Sequence, residues 1–255
     1  MRLAITRGVS PAIARCELTH LARQPIDLKK ARAQHAAYEA CLRALGCTIR
    51  RLPGGDALPD SVFVEDCAVV FDEIAVIARP GAPPRRAETG AVATALKAVR
   101  PLARIGPPGT LDGGDVLRAG RRVFVGISSR TNAAAIDQLN RLVSPFGYTV
   151  TGVEVRGCLH LKSAVTEAAP GVLLLNPAWV SEGTFHGFTC IETDPGEPHG
   201  ANALRIGDDL VYASAFPRTR DRLDSLGLSI HPVDVSELAK AEGAVTCCSL
   251  IVENG

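Results

Sequence analysis

Apolar residues along this chain fall into paired short runs, each pair split by a tight polar turn, and the pair recurs. Residues 66–79, DCAVVFDEIAVIAR, show the unit: a small or acidic turn, an apolar run, a tight turn, a second apolar run. It returns at 115–127 (DVLRAGRRVFVGI), 163–175 (SAVTEAAPGVLLL) and 202–213 (NALRIGDDLVYA). The runs are β-branched or apolar and bounded by Gly, Asp or Asn, which predicts β-hairpins. A fifth copy is split: CCSLIVEN at 247–254 supplies one strand, and RLAIT at 2–6 supplies its partner from the other end of the chain.

Between hairpins the period changes. Residues 27–45, DLKKARAQHAAYEACLRAL, predict a helix with Asp27 as N-cap and a stop at Gly46. Residues 88–99, 132–144, 218–226 and 236–242 also read as helices, and the Pro-rich stretches 80–84 and 106–109 as loops. Copies recur at intervals of roughly 40–50 residues, the spacing of propeller-like or solenoid arrays. Five hairpin-plus-helix units, closed by joining the two termini, make a ring around a central channel. The turns that begin the units would then gather Asp66, Asp115, His160, Asn202 and Cys247 around one axis. The competing explanation is that loop ends of any α/β protein are polar.

Composition narrows the class. With 46% hydrophobic and 22% charged residues, the chain can fill a globular core, and the expectation is one domain over 1–255. A net charge of +1 gives no reason to expect a nucleic-acid or membrane partner, and the short Arg85–Arg86 and Arg121–Arg122 pairs read as solvated turns. The N-terminal MRLAITRGVS lacks the features of a signal peptide, and no window has the apolar length of a membrane span, so a cytoplasmic protein is expected. The cysteines are Cys16, Cys41, Cys47, Cys67, Cys158, Cys190, Cys247 and Cys248. Without C-x-x-C pairs, clustered His or secretory features, they predict neither a disulfide framework nor a zinc site. Most read as small buried apolar residues.

Two of the turn residues fit nucleophilic chemistry. Cys247, in GAVTCCSL, and His160, in CLHLKS, are distant in sequence but equivalent in a ring, as a thiolate and its proton-handling imidazole need to be. Each read alone is also an ordinary structural residue. GTLDGGDVL brings Asp112 and Asp115 around two glycines: one carboxylate to orient an imidazole, the other to face a cation, or else a plain hairpin turn. PDSVFVEDCAVV sets Asp60, Glu65 and Asp66 around Phe63, a combination suited to a planar cation, or to a solubilising strand edge. Arg85 and Arg130 follow successive hairpins and together suit a carboxylate.

These motifs, in order from about residue 18 to 251, resemble the dimethylarginine dimethylaminohydrolases of the pentein superfamily. The segments are LPDSVFVEDCAVV, ARPGAPPRR, GTLDGGDVL, FVGISSRTN, LHLKS, GAN, FPRT at 216–219 and TCCSLIV. The resemblance implies a five-fold pseudosymmetric α/β propeller, its ring closed by the N- and C-terminal strands. It also implies hydrolysis of methylated arginine through a covalent cysteine intermediate, with no metal and no cofactor. By the same resemblance Cys247 is the nucleophile, His160 the general acid and base, and Asp112 the third catalytic carboxylate, where some bacterial members carry Glu. Glu65 and Asp66, with Phe63 beside them, match guanidinium ligands. Arg85 and Arg130 match ligands of the substrate α-carboxylate, and Asp60 with the carbonyls of Leu18 and Ala241 matches the α-amino contacts. Residues 14–26 resemble a mobile lid.

Arginine deiminases and amidinotransferases resemble this plan but carry an acid two residues after the histidine, where this chain has Lys162. Losing that acid leaves room for a nitrogen that methylation has stripped of donors. Arginine deiminase is the nearest alternative activity, and a non-catalytic propeller the alternative of another class. Cys248 reads as structural. The expected partner is a methylated L-arginine, with a homodimer left open.

Overall fold

The computed structural model describes residues 2–225 and 227–253. Five three-stranded sheets are arranged as a ring, an α/β propeller. Four of the predicted hairpins appear as β3 (Ala68–Val70) with β4 (Ala75–Ile77), β6 (Val116–Ala119) with β7 (Arg122–Ile127), β9 (Val165–Ala169) with β10 (Val172–Leu175), and β12 (Ala203–Ile206) with β13 (Asp209–Ala213). The split copy also forms: β1 (Arg2–Arg7) pairs antiparallel with β15 (Leu250–Glu253), so the two ends of the chain close the ring. The last strand starts later than predicted. Cys247 and Ser249 turn their N–H groups back to Ala244 and Thr246, which keeps both cysteines in a turn ahead of β15. Residues 226 and 254, included in predicted elements, lie outside the described residues.

Each sheet has a third strand that the hairpin pattern does not predict: β2 (Cys47–Leu52), β5 (Leu102–Arg104), β8 (Thr149–Glu154), β11 (Thr189–Glu192) and β14 (Ser229–Val233). Each runs parallel to the hairpin's inner strand, so the chain must cross over between them. Helices α1 (Leu28–Ala44), α2 (Thr89–Lys97) and α3 (Ala133–Val143) make three of the crossovers. Asp27 and Asn132 cap α1 and α3 by accepting from the backbone N–H three residues on, each cap contributing about 1 kcal/mol. A short turn α4 (Leu161–Ala164) follows His160, and α5 (Pro217–Asp224) makes another crossover.

Two expectations need correcting. The unit of the 163–175 hairpin crosses over by a 3-10 turn, Glu182–Phe185, because NPAWVSEGTFHGF carries a proline, two glycines and no helical period. The helix predicted at 236–242 stops as α6 (Ser236–Ala239), since Glu242 takes a left-handed conformation at φ 58°. The Pro-rich stretch 80–84, read as loop, runs into a further 3-10 turn at Pro83–Glu88.

The core is five clusters, each shared between neighbouring sheets. Leu3 and Ile5 of β1 join one cluster with Ala68, Ala75 and Ile77, while Ala4 between them joins another with Val211 and Ala213. Val69 and Val76 point the other way, to Val116, Val123 and Val125. Leu117, Phe124, Leu173 and Leu175 form the next cluster, and Leu174 with Ala203, Leu210 and Tyr212 the last. Inner strands buried on both faces read as unbroken apolar runs, which is why the pattern is so clear. No described helix is long and apolar enough to cross a membrane.

The unit-starting turns meet at the axis and are hydrogen-bonded in a closed circuit. Gly114 N donates to Asp66 (3.0 Å), Leu161 N to Asp115 (2.9 Å), Asn202 Nδ2 to the Lys162 carbonyl (2.9 Å), Thr246 N to Asn202 (3.1 Å), and Glu65 N to the Cys247 carbonyl (3.2 Å).

Candidate active site

By the ring axis lies a small chamber lined by Glu17, Asp60, Phe63, Asp66, Arg85, Arg130, Leu159, His160, Ala241, Glu242 and Cys247. Seven of the site residues predicted from sequence thus share one small chamber with Ala241. His160 is held between two carboxylates, with Nε2 3.1 Å from Asp112 Oδ2 and Nδ1 3.8 Å from Asp66 Oδ1. Asp112 is fully buried behind the ring; its carboxylate also accepts from Gly81 N (2.9 Å), and its own backbone N–H donates to Thr131 Oγ1 (3.1 Å). Gly114 allows the packing: a Cβ there would lie 2.6 Å from His160 Nδ1 and 2.7 Å from Asp66 Oδ1.

The charges are set by this burial. Desolvation opposes the imidazolium, but Asp66 and the Asp112 hydrogen bond outweigh it and raise His160 to about 9. Burial likewise opposes the Asp66 charge, yet His160, Arg85 and the Gly114 N–H hold that carboxyl down to about 2. The Cys247 thiol is pushed up to about 12, first by burial and then by the charges of Glu65 and Asp66. At neutral pH the site therefore rests as a thiol beside an imidazolium. Cys247 Sγ accepts from Ala244 N at 3.3 Å. Cys248 is buried in the core and bonded to the Ala244 carbonyl, a structural position.

The structure separates residues that sequence treats alike. Asp115 does not face a cation at hydrogen-bond range; it accepts from Ser128 Oγ (2.6 Å) and Leu161 N (2.9 Å), anchoring the segment that carries His160. The Glu65 carboxylate is not among the cavity walls. Lys162 Nζ lies 2.5 Å from its Oε1, and Thr246 Oγ1 donates to Oε2 at 2.7 Å, on the side of a larger cavity that contains neither cysteine nor histidine. A buried carboxylate is stabilised by the cation in reach, and Lys162 supplies one. Arg85 is committed internally, to Asp66 (2.6 Å), to Glu88 (2.9 Å) and to the Asp60 and Phe63 carbonyls. Arg130 differs: Nη2 donates to Thr19 Oγ1, but buried Nη1 has no hydrogen-bond partner, its nearest acid being Asp112 at 3.8 Å. Leu18 is half-buried against the core, and its neighbour Glu17 takes the place in the wall, its N–H on the Asp60 carboxylate at 3.2 Å.

Residues missed in the sequence are Glu17, Leu159, Glu88 and Glu242. Only Glu88 left a readable sign, its spacing of three from Arg85 on one helical turn. Asp66, Asp112 and His160 place ligand-type atoms within 4.8 Å of one another. With Arg85 on Asp66 and a proton on His160, the charges of that cluster are already balanced within the protein.

No protein-family profile matches the chain. Individual relatives do. The chain is 40% identical over 256 residues to the N(G),N(G)-dimethylarginine dimethylaminohydrolase of Streptomyces coelicolor, covering 97% of this chain and 95% of that one. It is 34% identical over 226 residues to the enzyme of the same name from Pseudomonas aeruginosa, covering 88% and 89%. A solved structure of the Pseudomonas aeruginosa protein, a cysteine-to-serine mutant complexed with citrulline, superposes with a TM-score of 0.94 at 32% identity over 98% of both chains. Similarity at this level along nearly the whole length means that the chain belongs to the dimethylarginine dimethylaminohydrolase family.

Proposed function

We propose that this protein hydrolyses Nω-methylated arginines, asymmetric dimethylarginine and monomethylarginine, to citrulline and dimethylamine or methylamine. The reading makes it one catalytic domain with residues 14–26 as its lid, cytoplasmic, with a homodimer left open. One observation carries it. A thiol, an imidazolium, a carboxylate, an aromatic face and an arginine with an unused N–H all open into the same small chamber.

In this mechanism the substrate guanidinium lies against Phe63 and Asp66, while its α-carboxylate takes the free Nη1 of Arg130. Asp60 and the carbonyls of Leu18 and Ala241 take the α-amino group. Arg85 acts at one remove, fixing Asp66. Glu65 contributes charge from behind the wall, with Lys162 on it. That pairing leaves Asp66 as the guanidinium carboxylate that lines the chamber, one carboxylate rather than two, which suits a guanidinium that has lost donors to methylation.

The cation is also needed to activate the nucleophile. Its charge offsets Glu65 and Asp66 and lowers the thiol from its resting position, so Cys247 releases its proton to solvent as substrate binds while His160 keeps its own. The thiolate attacks the guanidino carbon, forming a C–S bond. The C–N bond to the methylated nitrogen breaks, and His160, oriented by Asp112, gives its proton to the departing amine. A thiouronium remains on Cys247. Neutral His160 then takes a proton from water, which attacks the same carbon; the C–S bond breaks and citrulline leaves.

The test is labelling of Cys247, located by peptide mapping, with a neutral and a cationic reagent. Iodoacetamide should react slowly at pH 7 and rise roughly tenfold per pH unit with the thiolate fraction. Chloroacetamidine, whose amidinium can occupy the guanidinium position, should label Cys247 readily at pH 7. Equal slow labelling by both would contradict substrate-assisted activation, and labelling only at other cysteines would remove the nucleophile assignment.

A further inference from the structure

We propose that Glu242 is the latch of the segment 14–26, a positioning residue that sets how long the chamber stays closed. The proposal rests on reading that segment as the cover of the substrate chamber. The exposed tip, residues 19–25, places no side chain in the core; Leu18 and Ile26 pack against it only at the two ends. What holds the tip is polar. The Glu242 carboxylate accepts from three consecutive backbone N–H groups, Thr19 (3.0 Å), His20 (2.5 Å) and Leu21 (2.7 Å). Arg23 ties the tip back onto the Ala14 and Cys16 carbonyls of the same segment; from outside the segment, the other bonds to the tip among the described residues come from Arg130 Nη2 to Thr19 Oγ1 and from Lys240 Nζ to the Pro25 carbonyl. Arg130 is needed by the substrate, so the Glu242 clasp is the main one that substrate groups do not compete for.

The backbone supports the same conclusion. Glu242 is the one non-glycine residue with positive φ among the described residues, at 58°. It follows α6, at a position where glycine carries no steric cost and a Glu does. The turn itself does not need the side chain: Glu242 N and Gly243 N are bonded to the Ala239 and Leu238 carbonyls, contacts that a glycine would keep. A carboxylate kept where it is conformationally unfavourable, and spent on three N–H groups of the cover, points to a role in closure. Glu242 also lines the chamber beside Ala241 and Cys247, so the latch and the reacting groups share one wall.

Three variants separate latch from scaffold: E242G, which relieves the backbone and removes the carboxylate, E242A, and E242Q, which keeps an acceptor without charge. Two readouts are taken without substrate: tryptic nicking at Arg15 or Arg23, and alkylation of Cys247 followed by peptide mapping. Both should accelerate roughly tenfold or more in E242G and E242A, the loss expected for charge-assisted bonds, and less in E242Q. The melting temperature of E242G should not fall. With methylated arginine as substrate, KM should rise more than kcat changes. Nicking and alkylation at the wild-type rate, or accelerated only in step with a lowered melting temperature, would overturn the latch. Failure of the unaltered protein to release citrulline would instead sink the functional reading, leaving the two substrate-free readouts to decide the latch separately.

Discussion

His160 carries a positive charge in one of the driest parts of the molecule, and the carboxylates of Asp66, Asp112 and Asp115 make that tolerable. Its folded value of about 9 lies above the ordinary 6.5, so the imidazolium stabilises the fold. That contribution is complete below pH 6.5 and is lost as pH rises through 9, a change on the order of 3 kcal/mol. Denaturant midpoints of the wild type should fall across this window more steeply than those of His160→Asn; buried thiols such as Cys247, pushed up to about 12, add a fall above about pH 8.5 that both proteins share. Glu88, which burial raises to about 7, titrates mostly below the window and does so in both proteins. Parallel profiles would mean that the ring is neutral in the folded state. At this scale the sequence is informative about identity and silent about partnership. Cys247, His160 and Asp112 could be picked out by motif. That Lys162 occupies Glu65, that Arg85 is consumed by Asp66 and Glu88, and that Glu242 reaches across to Thr19–Leu21 depends on which side chains the ring brings together.

Elements were legible in proportion to how fully they are buried. The hairpin strands lie between two clusters and show unbroken apolar runs. The third strands do not: β5 is LAR with no buried residue, and β8 buries only Val153. An edge strand with a mixed surface has neither a period of two nor an apolar run to announce it. The turns between elements impose the tightest steric demands. A Cβ on Gly113 would sit 2.0 Å from the Glu65 carbonyl oxygen and 2.8 Å from that of Ala68, both backbone atoms that side-chain rotation cannot move aside. Gly113→Ala should therefore destabilise by roughly 1–3 kcal/mol or more in denaturant unfolding. Gly90→Ala is the control. It lies inside α2 with open space around it and should be neutral or slightly stabilising, by about 0.5–1 kcal/mol. If Gly113→Ala behaved like the control, the close packing of adjacent turns would not be what fixes the site.

For the molecule as a whole, the ring explains both the fold and the chamber. Because each cluster joins neighbouring sheets, no unit can bury its apolar surface alone, and closure requires β1 to meet β15 across the full length of the chain. The same closure completes the circuit of turns. It brings the Cys247 carbonyl onto Glu65 N and places the thiol in one chamber with a histidine 87 positions earlier, at 160. Sequence periodicity reached this arrangement by treating five turns as equivalent; it could not show that the chamber rests as thiol and imidazolium and waits for a cation. That dependence on substrate charge makes the reaction itself the most direct test. Citrulline release should be measured from asymmetric dimethylarginine and from plain arginine, side by side, with the wild type and Cys247→Ser. The account predicts release from the methylated substrate in preference to arginine, and none from the mutant. Faster release from arginine, or full activity in Cys247→Ser, would contradict it.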